Sequence, residues 1–371
     1  LLAGLLSALA CTALPVLLCA QETWDGVGRV VAVGDVHGDY DQLVAVLKHA
    51  GVVDAKLRWS GGRSHLVQTG DRVDRGPESR KVMDLLMRLS KEARKAGGMV
   101  HPLTGNHEAM NMLGDLRYVT PEEFAAFKGP DSVRYRDALW ERLRQEREAK
   151  GEPAPTEEER RRFDAEHPLG WVEHRLAFSP KGEYGRWIAQ ANAVIRIGDA
   201  LFLHGGIAPK YADFSLKDLD QFVRAELKEA DPATALVSQD PEGPLWYRGL
   251  AQDDPALEPH LEAVLKRHGA RRIVIGHTPT EGLVMPRFGA RVIQIDVGLS
   301  KAYGGPPACL LLEDGRAFAL HRGKRLALPE ETGGPLVRYV REVVALEPGS
   351  KNLKVLLDRL EAPLTASPPS R

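Results

Sequence analysis

Cysteine is nearly absent: there are 3 in 371 residues, and two of them, Cys11 and Cys19, fall within the first twenty. Past that stretch only Cys309 remains, which excludes an internal disulfide framework and a thiolate metal site. Any metal must be held by oxygen and imidazole. Excess charge of one sign is missing too. The 50 basic and 51 acidic side chains nearly cancel, so no global field points to nucleic acid or to a polycation. No internal repeat is visible. What is present is apolar content, 43% of residues, enough for a large core in one large domain or two ordinary ones.

Charge is also lacking from residues 1–20. This stretch reads as the apolar core of a signal peptide, with Ala20 before Gln21 an acceptable cleavage position. The protein is then exported, periplasmic or secreted. The alternative is an uncleaved membrane anchor, since about 20 apolar residues can span a bilayer. This segment is the chain's only route to a membrane.

The β-branched run Arg29–Val33 reads as a buried strand and leads into Gly34-Asp35-Val36-His37-Gly38. Residues 40–50 follow with helical spacing. The design then repeats twice. A strand at 65–69 enters Gly70-Asp71-Arg72-Val73-Asp74-Arg75-Gly76-Pro77, ahead of an amphipathic helix at 78–95. A strand at 99–103 enters Thr104-Gly105-Asn106-His107-Glu108. This alternation is the pattern of a parallel α/β sheet. Residues 115–190 are charged and helix-rich, and read as an insertion over one rim of the core. Their Arg/Glu runs read as solvated helix faces. Strands resume at 193–197 and 200–203 around a hairpin turn at Gly198-Asp199, and the second enters His204-Gly205-Gly206. Helices at 215–229 and 258–268 precede a strand at 272–275 that enters Gly276-His277. Further strands are expected at 291–295, 308–312 and 317–320. Residues 321–371 form a C-terminal extension with two short helical patterns and a frayed Pro/Ser-rich end.

The polar residues at strand C-termini are Asp35, His37, Asp71, Asn106, His204 and His277. In open α/β sheets the ligand crevice lies at that edge. Their mix of carboxylate, amide and imidazole suits Mn²⁺, Fe or Zn²⁺. The set is too large for one tetrahedral ion. Two ions roughly 3.5–4 Å apart, sharing a carboxylate, are the economical solution, and Asp71 is the natural bridge. One strand-end Asp or His is more often a cap or a satisfied surface group. Repetition of the glycine-framed pattern outweighs that reading here. His65, His101 and His268 lack the frame and are read as structural.

These motifs resemble the successive signatures of the calcineurin-like metallophosphoesterases, closest to the phosphoprotein phosphatase branch. Residues 106–112, 114–118 and Trp246-Tyr247-Arg248-Gly249 resemble the Shewanella-like protein phosphatases. The resemblance covers residues 29–320, and implies a catalytic domain there: an α/β protein, a β-sandwich of two mixed sheets flanked by helices, with metals at one edge. It implies that Asp35, His37 and Asp71 hold one divalent ion, and that Asp71, Asn106, His204 and His277 hold the other. His107 matches the general acid, Asp74 its orienting partner, and Arg75 and Arg248 the phosphate clamps. The implied activity is hydrolysis of Ser/Thr or Tyr phosphate on phosphoproteins or phosphopeptides, or of a small phosphoester, by water that two cations acidify.

Local chemistry agrees with those roles. Arg75 lies four residues after Asp71, so one loop can deliver both. His107 directly follows Asn106 and cannot easily join the same coordination shell, which suits it to giving a proton. Trp246 and Tyr247 are core aromatics or walls of a leaving-group pocket. The alternatives are dinucleoside-polyphosphate hydrolysis and non-catalytic binding of a phospholigand. Against the latter, every ligand and acid–base position carries a competent residue type. The Ser-Ala-Pro-Asn-Tyr-Cys segment that shapes the toxin-binding loop of eukaryotic phosphoprotein phosphatases has no counterpart. Residues 296–305 stand in roughly that place, and sensitivity to those toxins is not implied.

Overall fold

The computed structural model describes residues 21–365; residues 1–20, read above as a signal peptide or anchor, and the Pro/Ser-rich end beyond 365 lie outside the described residues. After a two-residue strand β1 (Thr23–Trp24), the chain forms β2 (Arg29–Val33), α1 (Tyr40–His49), β3 (His65–Gln68), α2 (Ser79–Lys95), β4 (Met99–Pro102) and α3 (Asn106–Leu113). The strand–loop–helix repetition is therefore real. Asp39 starts α1 by accepting from the Gln42 amide. The face of α2 carrying Val82, Leu85, Leu86 and Leu89 is buried, as its 3.6-residue spacing requires.

The insertion supplies α4 (Pro121–Ala125), α5 (Ser132–Ala149), α6 (Glu157–Glu166), α7 (Trp171–Phe178) and α8 (Glu183–Ile188). The chain then returns through β5 (Val194–Ile197) and β6 (Ala200–Leu203), joined as an antiparallel hairpin. Next come α9 (Leu216–Glu229), α10 (Glu258–Arg267), β7 (Arg272–Ile275), β8 (Met285–Arg287), β9 (Val292–Gln294), β10 (Ala308–Glu313), β11 (Arg316–His321), β12 (Lys324–Ala327), α11 (Gly334–Leu346) and α12 (Lys351–Thr365).

The strands assemble into two six-stranded sheets, ordered β12-β11-β10-β2-β3-β4 and β1-β5-β6-β7-β9-β8. Both are mixed. β2, β3 and β4 run parallel while β10 is antiparallel to β2; β6, β7 and β9 run parallel beside the β5–β6 hairpin. One apolar core contains side chains of both sheets, among them Val31, Leu66 and Leu310 from the first and Ile195, Phe202, Val274 and Ile293 from the second. The expected sandwich of two mixed sheets flanked by helices is what the chain forms. β1, β8 and β12 were not legible beforehand. β1 has two residues, β8 contains Pro286, and all three sit at or beside sheet edges, where proline and charge are tolerated.

The helical patterns of the C-terminal extension are substantial, 13 residues in α11 and 15 in α12. Val340, Val343, Leu353 and Leu356 join the core, and the Tyr339 hydroxyl donates to the Val284 carbonyl at 2.7 Å. In the insertion, α5 buries only Ser132. Its surface carries pairs such as Arg142–Glu146 and Arg144–Glu141, each worth about 0–1 kcal/mol. The opposite holds for α7 and α8, where Phe178, Tyr184 and Ile188 pack with Val73, Met83, Ala109 and Met112. That contact seats the insertion on the loop carrying Asp71 and Asp74.

His174 of α7 is fully buried, stacked on Phe178 and edge-on to Phe124 and Phe127, with no partner for either ring nitrogen. Burial, and after it the Arg175 charge, lowers its pKa from 6.5 to about 3. Because the folded pKa is depressed, the unfolded chain takes up a proton below pH 6.5 that the folded chain refuses. The stability that neutral His174 allows is present above that pH and is lost as pH falls toward 3. His174→Phe is expected to remove about 2 kcal/mol of the difference in unfolding free energy between pH 7 and pH 5, measured by urea denaturation. An unchanged pH slope would contradict a water-excluded ring.

Candidate metal centre

Glycine-framed loops leave the C-terminal ends of β2, β3, β6 and β7, and α3 starts directly after the loop that follows β4. Two of the glycines are dictated by space. A Cβ on Gly70, which has φ +109°, would stand 2.5 Å from Gly105 Cα and 2.9 Å from His204 Nδ1. One on Gly276 would stand 2.4 Å from Asp35 Oδ1. The loops are also laced together. The amides of Val36 and His37 both donate to the Asp71 carbonyl at 2.9 Å, and that of Gly38 to the Arg72 carbonyl at 2.9 Å. Glu108 accepts from the amides of Gly105, Asp71 and Arg72 at 2.7–2.9 Å. Five residues expected in the site adopt left-handed backbone: His37 (φ 45°), Asp71 (56°), Asp74 (69°), Arg75 (65°) and His277 (64°). Non-glycine residues in that region cost about 1–3 kcal/mol each, and such strain gathers where function needs it.

Among the described residues, two buried groups of donor atoms lie within 4.8 Å of one another: His37, Asp71 and His107, and Asp71, His204 and His277. Asp71 belongs to both. Its Oδ2 is 3.8 Å from His37 Nε2 and its Oδ1 3.3 Å from His204 Nε2. Asn106 Oδ1 faces His204 Nε2 at 2.8 Å. Asp35 falls in neither group; the His277 amide donates to its two oxygens at 3.1 and 3.2 Å, and Asp296 lies beside it.

Backbone carbonyls fix the tautomers of the imidazoles. His37 Nδ1 faces the Val73 carbonyl at 3.1 Å, His204 Nδ1 the Thr69 carbonyl at 3.0 Å, and His277 Nε2 the Trp246 carbonyl at 3.0 Å. A carbonyl only accepts, so those nitrogens carry the protons and the others present lone pairs. At His204 Nε2, three lone-pair atoms converge: the ring nitrogen, Asn106 Oδ1 and Asp71 Oδ1. A divalent cation satisfies such a set.

The electrostatics fit a cation as well. Burial lowers His37 to a pKa of about 4; burial and then His204 lower His277 to about 2. Both rings are therefore neutral at pH 7 and free to coordinate. Burial, followed by repulsion from Asp296 and Asp71, raises Asp35 well above the carboxylate range. Burial also raises Asp296, to about 6. Burial would raise Asp71 too, yet His204, His107 and His37 hold it well below its ordinary value. The mutual repulsion of Asp35, Asp71 and Asp296 is what a divalent ion relieves. The donors fit two hard or borderline ions.

His107 is turned differently. Its Nδ1 lies 2.5 Å from Asp74 Oδ2, and its Nε2 faces the centre, 3.8 Å from Asp71 Oδ2. Burial alone would depress it, but the charges on Asp71 and Asp74 raise its pKa above the ordinary value. Asn111 Nδ2 donates to Asp74 Oδ1 at 2.8 Å. Arg75 is half-buried, its guanidinium 4.3 Å from the Tyr118 ring centre and 5.4 Å from that of Tyr303. Arg248 is exposed and donates to the His277 carbonyl at 2.7 Å. Beside it Trp246, Met110 and Leu113 line a cavity of about 450 Å³, while Tyr247 packs on the second-sheet core.

The structure thus brings all the expected site residues to one edge of the sandwich. His65 and His101 pair with each other at 2.9 Å, away from it. Sequence reasoning missed Asp296, Glu108, Asn111, Tyr118 and Tyr303. Asp296 follows β9 as Asp35 follows β2, with Gly298 two residues on, and that signal was available.

Comparison with known proteins agrees with this geometry. A family model described as calcineurin-like phosphoesterase matches residues 28–281. An uncharacterized protein of Schizosaccharomyces pombe is 33% identical over 314 residues, 81% of this chain and 82% of that one. Shewanella-like protein phosphatase 2 of Arabidopsis thaliana is 31% identical over 295 residues, 76% of this chain and 74% of its own. The solved structure of a cold-active protein-tyrosine phosphatase from a psychrophilic Shewanella species aligns with a TM-score of 0.63 at 30% identity, over 83% of this chain and 82% of that one. With its two donor clusters, and a family match over more than half its length, the chain belongs to the calcineurin-like phosphoesterases and is a hydrolytic phosphatase similar to the Shewanella-like enzymes.

Proposed function

We propose that the protein removes phosphate from phosphoprotein or phosphopeptide side chains at a two-metal centre, and that aryl esters such as phosphotyrosine are its better substrates. The single observation behind the two-metal reading is the Asp71 carboxylate, shared between both donor clusters. His37 and Asp71 of the first cluster, joined by Asp35 and with His107 kept back as proton donor, would hold one ion, and Asp71, Asn106, His204 and His277 would hold the other. The donor chemistry suits manganese first, with iron or zinc as the other candidates. Such a pair supplies Lewis acidity and a water acidified toward neutrality.

The chain's own groups do the rest. Arg75 and Arg248 take the phosphate oxygens from two sides, the guanidinium offering paired donors. His107 gives the proton on Nε2 to the departing oxygen. Asp74, bonded to Nδ1, keeps that proton on the face turned toward the centre and favours the charged ring. Tyr118 and Tyr303 flank Arg75, and Tyr118 also lies 5.0 Å from the His107 ring, so aromatic surface borders the phosphate clamp and the proton donor and suits a flat leaving group packed against it. The similar Shewanella structure is that of a protein-tyrosine phosphatase, which supports the same preference.

A panel of phosphotyrosine peptide, phosphoserine peptide and diadenosine tetraphosphate tests the reading. Turnover is expected to be fastest on the first, and hydrolysis of the nucleotide alone would overturn it. Asp71→Ala is expected to lose bound metal together with activity, read by elemental analysis of the purified protein; two ions retained would refute the shared carboxylate. His107→Ala should keep both ions, yet lose about 10²-fold or more on phenyl phosphate and far less on dinitrophenyl phosphate. Equal losses on the two esters would argue against an acid role.

A further inference from the structure

Behind the His107–Asp74 pair, the insertion places a carboxyl group that the proposed chemistry does not use. Glu123 of α4 is fully buried. Thr120-Pro121-Glu122-Glu123 has the spacing of a capping box, in which the last residue reaches back to the helix start. Thr120 does accept from the Glu123 amide at 3.2 Å. The reciprocal bond, closed in α6 and α9, is not made in α4. The Glu123 side chain turns inward instead. Its carboxyl faces the Ser79 hydroxyl and the Asp74 amide, although neither oxygen forms a well-aligned hydrogen bond.

That neighbourhood is closed to solvent. Ser79 and Asp74 are, like Glu123, fully buried, and the Asp74 amide donates to Ser79 Oγ at 3.2 Å. Burial, and then the Asp74 charge, raises the Glu123 pKa to about 8. At neutral pH it is therefore a carboxylic acid with one O–H to donate. Leaving a buried carboxyl idle is costly. The loop in front of it needs support, because Asp74 and Arg75 both hold left-handed backbone. A carboxyl behind Ser79, facing its hydroxyl and the Asp74 amide, supplies that support.

We propose that Glu123 is a positioning residue for the general acid, its carboxyl bracing Ser79 and the Asp74 main chain so that the Asp74 carboxylate stays aligned on His107 Nδ1. The insertion then does more than cover a rim: it completes the proton-donating pair from behind. This rests on the acid role given to His107 above. The order of contacts is Glu123, Ser79, Asp74, His107, and only the last reaches the departing oxygen.

The test compares kcat and KM of Glu123→Leu, Glu123→Gln and Ser79→Ala on phenyl phosphate, whose leaving group needs a proton, and on dinitrophenyl phosphate, whose leaving group does not. Glu123→Leu and Ser79→Ala are expected to lower kcat on phenyl phosphate about tenfold more than on dinitrophenyl phosphate, with KM little changed. Glu123→Gln keeps a hydrogen-bonding group of the same shape and is expected to retain the wild-type ratio. Ser79→Ala deletes one buried oxygen, so it reads the same chain should the leucine variant fail to fold. A wild-type ratio in Ser79→Ala, equal losses on both esters, or a glutamine variant as selective as the leucine one would overturn the proposal. His107→Ala measured alongside separates the two levels. If it shows leaving-group dependence and the Glu123 and Ser79 variants do not, only the bracing role fails; if it shows none, the acid assignment fails with it.

Discussion

One carboxylate governs this molecule. Asp71 is 2% exposed, lies within reach of His37, His107 and His204, and accepts the His107 amide through Oδ1. Burying a carboxylate is costly unless charge and hydrogen bonds compensate. Here they come from residues as far apart in sequence as His37 and His204, so the group is satisfied only when both sheets are in place. Fold and chemistry are thereby coupled. The strand ends that build the sandwich carry the ligands, and the ligands' charges are balanced only in the sandwich.

The same coupling explains the strained loops. Left-handed backbone at Asp71, Asp74 and His277 persists because neighbouring loops over-determine it. Val36, His37 and Gly38 bond the β3 loop, while Glu108 ties that loop to the start of α3. Arg72 and Glu108, neither exposed at all, approach to 3.3 Å beneath the centre, and Trp187 of the insertion lies 5.2 Å from the Arg72 guanidinium. Each support comes from a different element. Such redundancy holds donor atoms to the few tenths of an ångström that metal and phosphate geometry demand.

Much of this was legible in sequence because its physical cause is local. Where an added Cβ would stand about 2.5 Å from a neighbouring loop's atoms, only glycine fits, and Gly70 and Gly276 advertised the Asp71 and His277 loops. The buried strands β2 and β7 announced themselves as β-branched runs. What could not be read depends on distant partners. Tyr118 and Tyr303 meet Arg75 from segments 185 residues apart, and neither carries a local mark of that meeting. The isolation of Asp35 from the donor clusters depends on the His277 amide and on Asp296, both supplied by the other sheet. Edge strands such as β12, half solvent-facing, lack the apolar alternation that identifies a strand.

The pairing of β10 with β2 has a consequence for how the protein is made. Leu310 stands opposite Ala32, Leu311 opposite Val31 and Leu312 opposite Val30, so one edge of β2 stays open until residue 313 has left the ribosome. At roughly 5–20 residues per second that is an interval of tens of seconds. An apolar strand with unpaired amides invites association with other chains throughout it. Synthesis therefore contains a window in which the open edge of β2, in the N-terminal third, is exposed to such association.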